Sequence, residues 1–128
     1  MSLEELKALA RLRQDLAQAD LDAARLGDEL ARASHALAQA PPGAPRAELA
    51  ALAARLGALE AERARRALAL EQRIDQCRAM LAELPAREAR VLWLRYGEGL
   101  PWAQVARRAH YSEQHCKKIH KAALERRA

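Results

Sequence analysis

A seven-residue repeat of leucine and alanine near the start of the chain restricts its fold more than any other feature. One row of apolar residues recurs every seven positions from Leu9 to Leu37, and a second row from Leu12 to Ala33 completes the three-four spacing. This spacing, kept over four heptads, predicts one long α-helix with a coiled-coil seam. Because the seam mixes leucine with alanine, the partner helix is expected to approach closely and to bury little area per contact.

A proline-rich segment ends this helix at residues 40–45, with the sequence APPGAP. Proline lacks an amide donor and its ring clashes with the preceding turn, while Gly43 permits a reversal of the chain. A second helix is predicted from near Pro45, because proline suits the first helical position. Its seam runs from Leu49 to Leu84 and has a stutter at Arg63, where two four-residue steps follow each other. We expect the two helices to fold back as an antiparallel hairpin.

The composition supports an all-α fold, since alanine and leucine dominate the apolar residues and almost no stretch alternates with period two. The predicted architecture is therefore a long antiparallel helical hairpin or coiled coil, followed by a compact C-terminal module. A single seam on each helix buries only a narrow stripe. The sequence is compatible with three roles for the hairpin: it self-associates, it docks on the C-terminal module, or it is a spacer that has no partner.

Charge divides the chain at residue 84. Residues 1–84 carry 12 basic and 13 acidic side chains, whereas residues 85–128 carry 10 basic and 4 acidic ones, so the net charges are −1 and +6. All four aromatic residues, Trp93, Tyr96, Trp102 and Tyr111, also lie in the second part. This division predicts an oligomerisation or docking domain over residues 1–84 and a polyanion-binding domain over residues 85–128.

The C-terminal domain has the pattern of three short helices. Pro85 is expected to begin the first helix, which continues through Tyr96, and residues 102–109 form the second. His110 and Tyr111 make a turn, and Ser112 is the predicted N-cap of a third helix over residues 113–127. The apolar face of this third helix, expected to pack on the first two, comprises Cys116, Ile119, Ala123 and Leu124.

The opposite face of the third helix suits duplex DNA. It presents Glu113, Gln114, Lys117, Lys118 and Lys121. An α-helix fits the major groove, where glutamine can pair with adenine and lysine can donate to guanine. The residues predicted to contact phosphates, which orient a protein on DNA without specifying sequence, are Ser112, Lys121, Arg107, Arg108, Arg126 and Arg127.

The segments LPAREARVLWLRYGEGL and WAQVARRAHYSEQHCKKIHKAALERR together resemble region four of the bacterial housekeeping sigma factors. The resemblance implies that the third helix contacts base edges of a promoter, and it places those contacts at Glu113, Gln114, Lys117 and Lys118. Glu113 stands where the family commonly has arginine, and Lys118 where it commonly has glutamine. The shared fold and groove are thus implied, but not the family's DNA sequence. The resemblance also implies bacterial RNA polymerase as a partner, and the whole layout is similar to small phage and prophage regulators.

Several functions are disfavoured by what the sequence lacks. Residues 1–84 contain no aromatic side chain on which a flipped base can stack, so the chain is not expected to open promoters alone. No catalytic constellation is visible, so an enzyme is not predicted. The sequence holds no apolar run long enough for a membrane span, and its charged N-terminus is not a secretory signal. Reduced cysteines at Cys77 and Cys116 fit a cytoplasm, and the resemblance implies that of a bacterial host cell.

Both the pair of Cys116 and His120 and the side chain of Trp93 could serve either packing or binding. Cys116 and His120 lie four apart on a helix, but zinc requires four converging ligands and Cys116 holds a core position, so no metal or other cofactor is predicted. Trp93 falls on the rim of the core stripe, where the sigma family commonly has a polar residue. It is a candidate for docking the N-terminal helices or a partner such as RNA polymerase.

The residues predict a sequence-specific DNA-binding transcriptional regulator, and the resemblance implies a phage or prophage origin. It would insert residues 112–124 into the major groove and pair through the hairpin as a homo-oligomer. One alternative is a DNA-recognition subunit for phage DNA packaging, similar to a small terminase subunit. The other is an interaction adaptor that binds RNA polymerase and has little affinity for DNA.

Overall fold

The computed structural model describes residues 3–127 and the side chains of residues 4–126. Its helices are α1 (Leu3–Ala38), α2 (Ala47–Leu81), α3 (Ala86–Leu92), α4 (Trp102–Ala109) and α5 (Glu113–Arg127), and a π-helical turn over Trp93–Gly97 continues α3. The described residues contain no strand, which confirms the predicted all-α fold. Within the described range, no helix is long and apolar enough to cross a bilayer.

Helices α1 and α2 run antiparallel, as the proline-rich segment predicts. The Arg66 guanidinium donates to the carbonyl oxygen of Asp15 at 2.9 Å, and Arg63 approaches the carboxylate of Asp20 at 3.6 Å. The contact that lies later along α1 is thus made by the residue that lies earlier along α2, which is the pattern of an antiparallel pair. Gly43 adopts a φ of +89° in the connection, a region that glycine enters at no steric cost.

The seam between residues 14 and 68 is only partly covered. Ala19, Ala23 and Leu26 on α1 and Leu52 on α2 are buried. Arg63, the stutter position, remains exposed, because a charged side chain keeps its head in water. The remaining large apolar seam residues of this stretch are half-buried, and they are Leu16, Leu30, Leu37, Leu49, Leu56 and Leu59.

The chain divides into two compact units that do not follow the boundary at residue 84. One unit comprises the described residues up to Arg13 together with those from Ala69 onward, and the other comprises residues 14–68. The ends of both long helices therefore share a unit with the C-terminal module. The assignment of oligomerisation or docking to residues 1–84 and of DNA binding to residues 85–128 remains a prediction about function.

A first apolar cluster forms the core of the C-terminal module. Val91 from α3, Val105 from α4 and Cys116 from α5 are fully inaccessible to solvent. Leu94, Ala106, Ala109 and Ile119 complete the buried group. The predicted packing of Cys116 and Ile119 on the first two helices of the module is confirmed.

A second cluster joins the ends of α1 and α2 to the other side of α3. Leu6 and Leu9 from α1 pack with Cys77 and Leu81 from α2. Leu92 of α3 and Ala123 of α5 belong to the same buried group, with Leu124 at its edge. The ends of α1 and α2 therefore pack on the module within this unit.

The π-helical turn depends on the absence of a side chain at residue 97. The amide of Glu98 donates to the carbonyl of Trp93 at 2.8 Å, five residues back, which is the wide hydrogen-bond pattern of a π-helix. Gly97 is buried, and a Cβ built on it would overlap the six-membered ring of Trp93. Glycine at this position therefore allows the Trp93 ring to lie against the backbone.

We expect Gly97→Ala to lower the free energy of unfolding by about 1–3 kcal/mol, because the new methyl group forces the Trp93 ring to move. Gly57→Ala is the matched control. Gly57 lies exposed within α2 with nothing near its Cβ position, so alanine there should stabilise the chain by up to about 1 kcal/mol. Urea unfolding of both variants measures the difference. Adding Trp93→Leu to Gly97→Ala should cost less than the two changes summed, and strict additivity would contradict the proposed overlap.

Candidate nucleic-acid interface

The turn between α4 and α5 sets the direction of α5. His110 ends α4 in the left-handed region, with φ 62° and ψ 37°. The amide of Tyr111 donates to the carbonyl of Ala106 at 3.1 Å, which closes the turn. The Ser112 hydroxyl oxygen then accepts from the amide of His115 at 3.1 Å, so the predicted N-cap is formed. These local bonds give α4, turn and α5 the arrangement of a helix-turn-helix.

The burial pattern of α5 fixes which of its sides faces solvent. Cys116 and Ala123 are at most 1% exposed and Ile119 is 5% exposed, so they hold the helix on the module core. All the predicted base-contacting residues lie on the other side of the helix and are exposed, namely Glu113, Gln114, Lys117 and Lys118. The helix thus presents one acidic, one amide and two ammonium groups together.

The residues predicted to contact phosphates differ in how far they are already engaged. Arg107 is exposed. Lys121 is exposed and lies 3.9 Å from the carboxylate of Glu125, a pair that solvent screens. Arg108, in the last turn of α4, pairs with Glu98 at 3.1 Å. The side chain of Arg127 lies outside the described residues.

Arg126 has a structural partner that its position in the sequence did not predict. It forms an ion pair with Glu88, whose side chain is 5% exposed while that of Arg126 is 56% exposed. A buried carboxylate requires a compensating partner, so this pair ties the end of α5 to α3. Oε2 of Glu88 has no hydrogen-bond partner within the described part of the chain. The one available signal was an acidic residue in the first turn of α3, which helix capping explains equally well.

A cluster of rings links the π-helical turn, α4 and α5. The Tyr96 hydroxyl lies 2.6 Å from Nε2 of His120, and the two rings stack at 5.6 Å. The Trp102 ring meets the His120 ring edge-on at 5.1 Å. Arg95 lies 4.7 Å from the centre of the Trp102 ring, and Arg13 of α1 donates to the Tyr96 carbonyl at 3.4 Å.

The protonation of this cluster follows from its burial. Burial, and then the charge of Arg95, lower the pKa of His120 below its ordinary value of 6.5. Burial raises the pKa of Tyr96, so its hydroxyl keeps its proton near neutral pH. Tyr96 therefore donates to a neutral His120, whose Nε2 carries the acceptor lone pair.

Trp93 lies where α3 meets the end of α2. It is half-buried and packs on the second cluster, and the Arg78 guanidinium lies 4.7 Å from the centre of its ring. Trp93 thus contacts the N-terminal helices within its own chain. Its predicted role in docking a further partner remains a prediction.

The Cys116 and His120 pair has the chemistry of a packing site. Cys116 is fully buried, and burial raises the pKa of its thiol, which disfavours the thiolate that binds metals. His120 already directs Nε2 at Tyr96. Among the described residues, no three histidine, cysteine or acidic side chains lie close enough together to hold a metal ion.

Comparison with known proteins supports the predicted resemblance. Residues 80–126 match the family model described as sigma-70, region 4, which is a DNA-binding helix-turn-helix domain. The match covers α3, the π-helical turn, α4 and nearly all of α5. A search of curated proteins gives no match, and a search of solved structures gives none either.

His120 should make the stability of the chain depend on pH. Because its pKa is lowered by folding, the unfolded chain binds the proton more tightly. The contribution of neutral His120 to the free energy of unfolding is therefore fully present when the pH is above 6.5, the ordinary pKa of histidine. It is lost as the pH falls towards the lowered pKa of the folded state. His120→Gln, which keeps an acceptor for Tyr96 but does not titrate, should flatten this loss. Urea unfolding between about pH 5 and about pH 8 measures it, with the exposed His35→Gln as control. An unchanged slope in His120→Gln would refute the assignment.

Proposed function

We propose that the chain is a sequence-specific DNA-binding transcriptional regulator that inserts residues 112–124 into the major groove. The observation that carries the proposal is the outward side of α5, where Gln114, Lys117 and Lys118 are exposed together on the second helix of a helix-turn-helix. The family match over residues 80–126 supports the same chemistry.

Each exposed side chain has a definite capacity towards bases. Gln114 can donate and accept at once, which suits the N6 and N7 edge of adenine. Lys117 and Lys118 can donate to the O6 and N7 acceptors of guanine. Glu113 can accept from the amino group of cytosine and repels phosphates. This mixture favours specific contact over uniform attraction to the backbone.

Phosphate contacts would come from the rim of the same surface. Arg107 and Lys121 are exposed, and Ser112 lies at the helix N-terminus, where the helix dipole favours an anion. Arg108 and Arg126 are also proposed to contact phosphate, and both would share their charge with an acidic partner. Arg127 is the last member of the proposed set.

We further propose that the hairpin pairs two copies of the chain. The half-buried leucines of residues 14–68 leave apolar surface that a second hairpin would cover. Two modules held together would bind two half-sites, and binding of the first would raise the effective concentration of the second. A phage or prophage source and a contact with bacterial RNA polymerase belong to the same proposal. Promoter opening does not, since residues 1–84 lack aromatic side chains.

Replacement of Gln114 and Lys118 by alanine should remove sequence preference while leaving the fold intact, because both are exposed and face away from the core. The measurement is fluorescence anisotropy with phage and bacterial promoter fragments against random duplex, over a salt series. The unmodified chain should prefer one fragment, and log affinity should fall with log salt by roughly 0.9 per phosphate contacted.

Lys7→Ala is the matched control for Lys118→Ala, because it removes the same charge from an exposed position on α1. It should leave the preference and the slope unchanged. Preference that survives the double replacement would remove α5 from the base contacts. Absence of binding at low salt would overturn the proposed function and favour an adaptor that binds RNA polymerase.

Sedimentation equilibrium should give a mass of twice the 14.2 kDa of one chain, because the hairpin seam is covered by pairing. Leu30→Gln with Leu56→Gln, two half-buried seam positions, should shift the equilibrium towards monomer and weaken DNA binding. The exposed Leu21→Gln is the control. A monomer throughout would contradict pairing, and a ring of many subunits would favour the DNA-packaging alternative.

A further inference from the structure

An apolar groove lies between the end of α2 and α3, next to Trp93 of the π-helical turn. Leu81 of α2, Ala89 of α3, and Trp93 and Leu94 of the π-helical turn form its walls. Its volume is about 520 Å³, which lies within the range of cavities that hold small organic molecules. The groove is open to solvent on one side, so a ligand can enter without unfolding of the helices.

The polar groups around this groove are mostly cationic. Arg78, Arg90 and Arg108 line it, and Glu98 is the one acidic residue among its lining. Glu98 is already paired with Arg108 at 3.1 Å. The ion pairs of the described residues include neither Arg78 nor Arg90.

The contacts of the two unpaired guanidinium groups hold them at the groove without neutralising them. Arg78 lies over the Trp93 ring, 4.7 Å from its centre. Arg90 donates from Nη2 to the carbonyl oxygen of Arg108 at 3.0 Å. A carbonyl and an aromatic face each orient a guanidinium, but neither supplies a negative charge. An anion that enters the groove would therefore gain charge-assisted hydrogen bonds.

We propose that this groove is a binding site for a small apolar anion, with a flat hydrocarbon body against Trp93 and Leu81 and a carboxylate held by Arg78 and Arg90. Its apolar walls exclude a fully hydrated ion such as inorganic phosphate as the preferred ligand, because the walls would stay wet. Its cations disfavour a neutral hydrocarbon, which would leave both guanidinium groups without a counter-charge.

The bound anion would also act on the DNA-binding surface through Arg108. Arg108 lines the groove and lies in the last turn of α4, next to the helix-turn-helix turn. A carboxylate in the groove would attract the guanidinium group of Arg108, which would otherwise interact with a DNA phosphate. Ligand and DNA then weaken each other's binding by the same factor. This coupling rests on the proposed function, whereas the binding site itself does not.

The test is a titration of the full chain with 2-naphthoate, followed by NMR of the backbone amides and the two tryptophan indole groups. We expect saturable shifts of the Trp93 indole and of residues 78–82 and 89–94, with the Trp102 indole unchanged. The neutral analogue 2-naphthalenemethanol should bind at least about ten-fold more weakly, since it forms no charge-assisted bonds. Equal binding of the two compounds, or no shift with 2-naphthoate, would overturn the proposal.

Matched variants separate charge from volume. Arg90→Gln should weaken 2-naphthoate binding at least about ten-fold, whereas Arg87→Gln, an exposed arginine on the same helix outside the groove, should leave it unchanged. Ala82→Trp keeps every cation but fills the groove from an exposed position, and it should abolish binding. Thermal unfolding checks that each variant folds. An equal loss in Arg87→Gln and Arg90→Gln would reduce the effect to general charge and refute the site.

The coupling has its own readout. Saturating 2-naphthoate should lower the affinity for promoter DNA, and Arg108→Gln, measured at a 2-naphthoate concentration that saturates this variant, should remove most of this effect. An unchanged DNA affinity with the groove occupied would overturn the coupling. If the chain binds no DNA, the proposed function fails, yet the NMR titration still decides the site. Another outcome is a Trp93 indole resonance that shifts with protein concentration and stays unchanged on addition of 2-naphthoate. That result would show a second copy of the chain in the groove and overturn the proposal.

Discussion

Helix α3 buries both of its sides, and the placement of the other elements of its unit follows from that. Val91 belongs to the cluster that holds α4 and α5, while Leu92, the next residue, belongs to the cluster that holds the ends of α1 and α2. Within this unit, a single short helix thus packs both on α5 and on the ends of the two long helices. Ala123 lies in the second cluster and Ile119 in the first, so α5 is fixed at two points along its length.

The elements that were predictable depend on local chemistry. The heptad spacing from Leu9 to Leu37 is set by the helical period, so it predicts α1 without knowledge of its partner. The same holds for the break at residues 40–45 and for the cap at Ser112, because a missing amide and a hydroxyl act within a few residues. The outward side of α5 was predictable too, since Cys116 and Ile119 define the inward one.

The features that were missed depend on contacts between elements. Periodicity gave α3 as a plain helix to Tyr96, because the π-helical turn arises from the fit of the Trp93 ring on Gly97. The ion pair of Arg126 with Glu88 could not be predicted either, because it joins two different helices. The sequence alone indicates only a surface cation at Arg126. The groove at Arg78 and Arg90 requires the end of α2 beside α3, which no spacing along either helix encodes.

The second cluster also sets an order of events during synthesis. Leu6 and Leu9 are synthesised before the other members of this cluster, and their neighbour Ala123 is synthesised after them all. The core around α3 therefore stays incomplete until Ala123 has been synthesised, and closing it brings together segments with a large sequence separation. The antiparallel segment between residues 14 and 68 contains only contacts that are available much earlier. Nascent chains would thus carry a formed hairpin before they carry a finished module, and any encounter between two such hairpins would precede the first opportunity to bind DNA.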